Sequence, residues 1–528
     1  MDIVVDKEKC ENKTKNIRPE SSKRKTVYLD RLINSLHEFA QNCTLHGVRY
    51  IADKKLRHAE RWFWTIVVLA SISICGFLIR NVWVKWESSI IITLNETPVP
   101  ANSVYYPSLT ICPQIKIRKE YIDNETAPYL YEPYEINRTQ FERYTDIAVI
   151  CDYTILSRNI VNYMVADRNR KGIKSNHYHY NVNIDKVVDM ALDFEDMFES
   201  CKWDTYSIPC QSLFRKVLIK DGVCYTTNVL DEDKIIRVEN GVNKLFLSNR
   251  TDVNEVDSIE GYLNDSFATF EITLRQNSEH NGSICKNQNI GFFVHLQDPI
   301  DMPKASIWPY AVKTNQIMSL ALKFDSVYTS QNLKSYPVGN RKCYFSDERH
   351  LNFFVIYTKS NCRMECVSNY TKELCTCVAF YMPHDNKSII CSAFYRRCIY
   401  VAETLILNRL RPKKIELVLK KYSFIKNMRN LINRSKIFSN KCHCLPACNK
   451  VNYDAEVMII GHNFNSPKNL SCTDDKVCGT KRNNYKYSRV QWNYKRSSFV
   501  GTIRSNTMVL TDVIAQSGFF LAFHSSPS

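Results

Sequence analysis

Glycine is scarce in this chain, 13 residues in 528, and no segment repeats itself. Fibrous, low-complexity and repeat architectures are excluded on that ground. Long apolar runs are scarce as well, since a single stretch reaches membrane-spanning length. No Ser/His/Asp nucleophile motif stands out, so no enzyme is expected. Acidic residues are in deficit, with Asp+Glu at 54 against Lys+Arg at 71 and a formal net charge of +17. The basic residues are spread over the whole length and interleaved with acids, so the excess does not imply a nucleic-acid partner. Apolar content of 44% and aromatic content of 12% are ample for a core. The length implies several packed subdomains or one large ectodomain.

The one long apolar run is Trp62 to Ile79, 18 residues without a charge. About 20 residues span a bilayer core, and Arg80 and Lys85 can snorkel to its edge. Trp62, Trp64, Trp83 and Trp86 stand where interfacial aromatic belts form. A signal peptide would begin near Met1 and end in small residues, whereas this run follows 61 mostly polar residues. Arg49, Lys54, Lys55, Arg57 and Arg61 precede it closely, against Arg80 and Lys85 after it. Basic residues favour the cytosolic side, which predicts a cytosolic N-terminus.

Of 21 cysteines, Cys10, Cys43 and Cys75 lie before or within that run, and the other 18 follow it. Cys362 and Cys366 are four apart, one helical turn or ~6 Å along an axis. Cys442 and Cys444 are two apart, ~7 Å along one face of a strand. A helix carrying the first pair can therefore be stitched to a strand carrying the second by two stacked bridges. Only an oxidising compartment maintains such a ladder, which assigns the bulk of the chain to the cell exterior. Ten Asn-x-Ser/Thr sequons follow the apolar run, at Asn95, Asn124, Asn137, Asn249, Asn264, Asn281, Asn369, Asn386, Asn433 and Asn469. Together they support the same side. Two Cys-x-Cys pairs, Cys375/Cys377 and Cys442/Cys444, with His443 could in principle ligate zinc, but partners at matching spacing outside the cell favour disulfides.

Between the membrane pieces the pattern is mixed. Ser88 to Thr93 and Ser108 to Cys112 read as strands, as do Phe270 to Leu274 and Gly291 to Leu296. In residues 349–366, Leu351, Phe354, Val355, Cys362 and Cys366 fall near helical spacing. Glu403 to Leu431 reads as one or two basic amphipathic helices with a solvated face, and Val457 to Ile460 as a strand. The fold class expected is a membrane protein with an α+β ectodomain. Near the C-terminus Val513 to Phe523 is apolar apart from Gln516 and Ser517, and covers only about half of a ~30 Å bilayer core. As written, this is half of a second membrane helix.

Several separated stretches resemble the degenerin/epithelial sodium channel family, with a cysteine style most like its insect pickpocket branch. Phe39 to Tyr50 is similar to the segment bearing the family's His-Gly gating motif, here His46-Gly47. Trp86-Glu87 and Tyr106 to Cys112 resemble the exit from the first membrane helix. Gly222-Val-Cys-Tyr-Thr-Thr-Asn228 resembles Gly-x-Cys-Tyr-Thr-Phe-Asn, with threonine in place of phenylalanine. Asn340 to Cys343, Tyr357, Cys362, Glu365-Cys366, Cys375-Thr-Cys377 and Tyr381-Met-Pro383 resemble the family's thumb. Cys442 to Cys448, followed by Tyr453, resembles the return to its palm. The matches keep their order from residue 39 to about 524.

The resemblance implies a trimer, homomeric or built with related subunits, whose second helices line a sodium-preferring, amiloride-sensitive pore in the plasma membrane. It implies a hand-like ectodomain of palm, finger and thumb. No cofactor is implied; Na+ is the transported ion and the lipid bilayer the surroundings. The implied division is 1–61 cytosolic, 62–84 first membrane helix, 85–507 extracellular with a thumb at about 343–448, and 508–528 an incomplete second helix. The implied bridges are Cys112–Cys224, Cys201–Cys210, Cys343–Cys448, Cys362–Cys444, Cys366–Cys442, Cys375–Cys398 and Cys377–Cys391. Cys151, Cys285, Cys472 and Cys478 are left over, with Cys472 and Cys478 close enough for a local loop. A ring of Asp512 side chains could concentrate cations at the outer mouth, although a carboxylate at a helix start is an equal reading. Gly518 to His524 aligns with the filter, placing Ala522, Phe523 and His524 where the family has small-x-Ser. With histidine for serine and an absent inner half-helix, the chain as written is expected to carry little current alone. A non-conducting, single-pass cysteine-rich surface receptor or regulatory subunit is the alternative.

Overall fold

In the computed structural model the described residues are 34–35, 37–39, 47–53, 55–88, 91–123, 145–151, 182–237, 246–247, 269–277, 291–406, 442–464 and 485–506. The chain divides into two units, one of Met1–Ile92 with Ser505–Ser528 and one of Thr93–Arg504.

The first unit contains a short helix, α1 (Val48–Ala52), and a long one, α2 (His58–Ser88). Within α2 the span His58–Asn81 is long and apolar enough to cross a membrane. At 1.5 Å per residue it reaches ~36 Å, more than a ~30 Å hydrocarbon core. Trp62, Phe63, Ile66, Leu69, Ile72 and Phe77 are all exposed, so one broad face of the helix presents a continuous apolar surface. The hydroxyls of Thr65 and Ser73 donate back to the Arg61 and Leu69 carbonyls at 2.7 and 2.8 Å. Their polar atoms are thus satisfied within the helix, as a lipid environment requires.

The second unit is built on two sheets. Strands β1 (Ile91–Pro100), β3 (Phe198–Trp203), β4 (Tyr206–Ile208), β7 (Phe270–Asn277), β10 (Gln316–Thr329), β12 (Tyr485–Tyr494) and β13 (Ser498–Asn506) follow the order β1-β13-β10-β12-β7-β3-β4. Strand β11 (Lys450–Gly461) pairs antiparallel with β10, from Gln316↔Gly461 to Val327↔Lys450. The smaller sheet has the order β5-β6-β2-β8-β9, from β5 (Phe214–Ile219), β6 (Gly222–Thr227), β2 (Ser108–Pro113), β8 (Gly291–Gln297) and β9 (Tyr310–Lys313).

Strand β10 organises the larger sheet because its apolar residues alternate. Met318, Leu320, Leu322 and Phe324 are buried at successive even positions, the period-2 signature of a strand facing a core. They share one core with Leu109, Ile111, Phe292 and Val294 of the smaller sheet. Aromatic rings tie the strands laterally. Phe270 and Trp492, opposite each other on β7 and β12, have centroids 4.4 Å apart, and Trp203 meets Phe270 edge-on at 5.7 Å. Strand β2 is buried throughout, and its polar side chains pair internally: Thr110 donates to the Thr226 hydroxyl at 3.0 Å, with Ser108 Oγ 3.1 Å from the same oxygen.

Two helices lie beside the sheets, α3 (Lys359–Cys375) and α4 (Arg396–Ile406), packed through Cys366, Val367, Tyr370, Val401, Ala402 and Leu405. The fold is thus a disulfide-rich mixture of helix and sheet.

Three local expectations are corrected. Ser88 is the last residue of α2 rather than the start of a strand, and β1 begins at Ile91. The helical spacing read from Leu351 does not make a helix before Lys359. The amides of Asn352 and Phe353 donate to the Glu365 carboxylate at 3.0 and 2.9 Å, and Thr358 caps α3 by accepting from the Asn361 amide at 3.0 Å. Leu351 and Phe354 are still buried, while Val355 is exposed. Finally, Cys442 and Cys444 do not lie on a strand. His443 between them has a left-handed φ of 34°, and Arg349 donates to the carbonyls of both Cys442 and His443, occupying acceptors a sheet partner would need.

Candidate gating elements and the stapled helical subdomain

In the first unit, Gly47 caps the start of α1 with φ 91° and ψ −30°, a conformation that L side chains rarely adopt. A Cβ placed there would sit 2.8 Å from Val68 Cγ2 and 3.4 Å from Trp64 Cε3 of α2. Three residues on, Tyr50 stacks on Trp64 with centroids 4.8 Å apart. Glycine is required here twice, for the backbone angle and for the close approach. His46 lies outside the described residues, as do Asp512, Gly518, Ala522, Phe523 and His524.

In the second unit, all fourteen cysteines singled out above are brought together in pairs. Cys362–Cys444 and Cys366–Cys442 join α3 to the segment before β11 with Cα separations of 5.7 and 5.9 Å. Cys343–Cys448, at 4.9 Å, closes the base of the same subdomain. Cys375–Cys398 ties the end of α3 to the start of α4 at 6.0 Å, and Cys377–Cys391 pins the intervening loop at 5.1 Å. Thr376, left-handed at φ 63°, ends α3 between two bridged cysteines. Cys112–Cys224 cross-links β2 to β6, and Cys201–Cys210 closes a short loop after β3. Cys151 is disulfide-bonded as well, whereas Cys285, Cys472 and Cys478 lie outside the described residues. Of the sequons, Asn386 is exposed and Asn369 half-buried on α3; Asn95 is on β1, and the other seven lie outside the described residues.

Polar contacts seat the stapled subdomain on the sheets. Asn361 of α3 accepts from the Met302 amide at 3.0 Å and donates to the Ile300 carbonyl at 3.3 Å. Tyr357 donates to the Leu445 carbonyl at 2.7 Å. In the β5–β6 turn, Lys220 donates to Glu403 of α4 at 2.5 Å, and Tyr381 donates to the other oxygen of that carboxylate at 2.8 Å. Between these contacts runs a cavity of about 920 Å³, lined by Asp298, Asp301, Lys304, Lys359, Arg363 and Asn452 among others. Burial, reinforced by the Asp301 charge, pushes Asp298 up to about 7, against the pull of the Ile300 amide.

Cys112, Asp221 and His295 offer ligand atoms within 4.8 Å of one another. Cys112 is bonded to Cys224, so its sulfur is no thiolate and the group lacks a third strong donor. The zinc alternative at Cys442 and Cys444 fails for the same reason, since both are bridged. Sequence reasoning missed Arg349 and the group of half-buried Lys116 and Asp221 with buried His295, which carry no motif in one dimension.

With this geometry in view, comparison with known proteins is direct. The chain matches the amiloride-sensitive sodium channel family over residues 39–522. Pickpocket protein 28 of Drosophila melanogaster is 22% identical over 507 residues, covering 92% of this chain and 74% of that protein. Sodium channel protein Nach of Drosophila ananassae is 19% identical over 437 residues, 82% of this chain and 73% of that protein. Human acid-sensing ion channel 2 is 22% identical over 367 residues, 67% of this chain and 62% of that protein. The chain belongs to the amiloride-sensitive sodium channel family, a family of membrane ion channels and not of enzymes.

Proposed function

We propose that the chain is a subunit of a trimeric, amiloride-sensitive sodium channel of the plasma membrane, opened by an extracellular stimulus and passing Na+ passively. Its N-terminus is cytosolic, α2 is the first membrane helix, and the cysteine-rich unit faces outward as palm, finger and thumb. The observation that carries this reading is the family match from residue 39 to residue 522. That span takes in the His46-Gly47 motif before the first membrane helix and the Asp512-to-Ala522 region of the second. The basic residues before Trp62, the sequons after it and the disulfides of the second unit support the same orientation.

The stapled subdomain suits a lever. Its helices are fixed to each other by Cys375–Cys398 and to the chain leading into β11 by two bridges, so they move as one body. Subunit counting by single-molecule photobleaching, with deglycosylation of surface-labelled protein, tests this assignment. A trimer with glycans on Asn386 is expected. A surface monomer, or glycans on Asn12 and Asn42 in place of Asn386, would overturn it.

A further inference from the structure

The cavity of about 920 Å³ beside the stapled helices has an uneven charge lining. Its carboxylates are committed or buried. Glu403 holds Lys220 at 2.5 Å, Asp221 lies 3.0 Å from His295 Nε2, and Asp301 lies 3.8 Å from Lys304. Asp298 accepts from the Ile300 amide at 3.2 Å, and no cation offsets its burial.

Three cations around the start of α3 have no such partner. Lys359 is the first residue of the helix, Arg363 lies one turn on, and Lys450 opens β11. All line the cavity, Lys359 and Lys450 half-buried and Arg363 exposed. Among the described residues no carboxylate pairs with any of them. Burial, and then the charges of Arg363 and Lys450, lower the pKa of the Lys359 amine. The partial positive charge of a helix N-terminus also disfavours a cation there. Thr358 takes the Asn361 amide, so the two amides ahead of it remain as donors. An oxyanion at this point would gain from those donors and relieve the repulsion among the cations.

A flat apolar surface lies on the same wall. Lys304 donates to the Ser360 hydroxyl, which moors residues 304–308 beside the start of α3. Further along that segment Ile307 is 68% exposed and Trp308 88%, both lining the cavity. Four residues of chain reach at most ~14 Å, so Trp308 and the cations lie within the span of one extended ligand. An indole so exposed offers a face for ring stacking. The volume falls in the range of small-molecule sites.

We propose that this cavity binds a nucleoside polyphosphate, its phosphates on Lys359, Arg363 and Lys450 at the start of α3 and its base on Trp308. Arginine suits phosphate because its planar fork donates two parallel bonds, and lysine supplies a point charge. The phosphates bridge α3 to β11, and the base adds the segment leading into β9. An occupant therefore joins the stapled helices to both sheets.

The test is equilibrium binding of ATP to the full chain purified in detergent, with EDTA present and ionic strength held constant by sodium chloride. Saturable binding is expected, with sodium tripolyphosphate competing more weakly than ATP and adenosine not competing. Lys359→Gln/Arg363→Gln should bind ATP about tenfold more weakly or worse. Without ligand that variant should melt no lower than wild type, because the charges removed repel each other. Trp308→Ala should lose affinity for ATP and keep it for tripolyphosphate, which has no ring. Unchanged ATP affinity in either variant, or ATP binding no tighter than tripolyphosphate, would overturn the proposal.

Discussion

Gly47 stands so close to Val68 that a single added carbon would come within 2.8 Å of the valine methyl. The contact ties Gly47 to the first half of α2 through backbone shape.

Gly47→Ala is therefore expected to be costly on two counts. The positive φ costs a non-glycine residue ~1–3 kcal/mol, and the clash with Val68 adds to it. Gly47→Ala with Val68→Ala should recover only the steric share, because the strain at φ 91° remains. Thermal unfolding of the detergent-purified single and double variants measures both, and full recovery in the double variant would show that the backbone angle is irrelevant.

Breaking the ladder has a similarly specific expectation. Cys362 and Cys444 are 82 residues apart in sequence, and removing their bridge should cost ~2–4 kcal/mol, less if the neighbouring rung already restricts the unfolded loop. Cys362→Ala leaves Cys444 as a free thiol and should reach the cell surface less well than Cys362→Ala/Cys444→Ala, as surface biotinylation would report. Peptide mapping that joined Cys362 to Cys366 would remove this expectation altogether.

Glu365 holds two backbone amides ahead of its own helix, those of Asn352 and Phe353. Glu365→Ala removes the carboxylate acceptor of both amides in a part-buried site and should cost ~1–3 kcal/mol per lost hydrogen bond. Glu365→Gln keeps one acceptor oxygen and should lose about half as much. Limited proteolysis between residues 349 and 358 reads the difference; equal protection in wild type and Glu365→Ala would contradict it.

A pH dependence follows from Asp298. Its folded pKa of about 7 lies above the ~3.9 of an unfolded aspartate, so the folded protein binds this proton more tightly. The resulting stability is complete below about pH 4 and is lost as pH rises through about 7. Asp221 is shifted the other way. The His295 hydrogen bond and the Lys116 charge outweigh burial and lower its pKa, and its contribution is lost only in stronger acid. Asp298→Asn should therefore flatten the fall in melting temperature between about pH 5 and about pH 8. An unchanged slope would mean that Asp298 is ionised normally.

What was legible in one dimension was whatever repeats or pairs at fixed spacing. The apolar run into α2 and two cysteine pairs of matching span have local periods. Residues 351–358 misled because apolar spacing there suits a helix, while Glu365, far along the chain, captures the amides a helix would need. The left-handed turn at His443 escaped notice for a related reason, since Arg349 holds the neighbouring carbonyls from 94 and 93 residues away. Lys116 reads as one lysine in Pro-Gln-Ile-Lys-Ile-Arg; that its ammonium is buried is decided by the tertiary packing around it.

The central claim is that this chain enters a sodium channel, and electrical recording tests it most directly. The chain should be co-expressed with a full-length pickpocket relative, and sodium current measured with and without amiloride and after replacing sodium by an impermeant cation. Surface labelling should confirm that both proteins reach the membrane. The account predicts that the two co-purify and that current amplitude or amiloride block differs from that of the relative alone. Current indistinguishable from that of the relative alone, with the chain at the surface and absent from the purified channel, would contradict it.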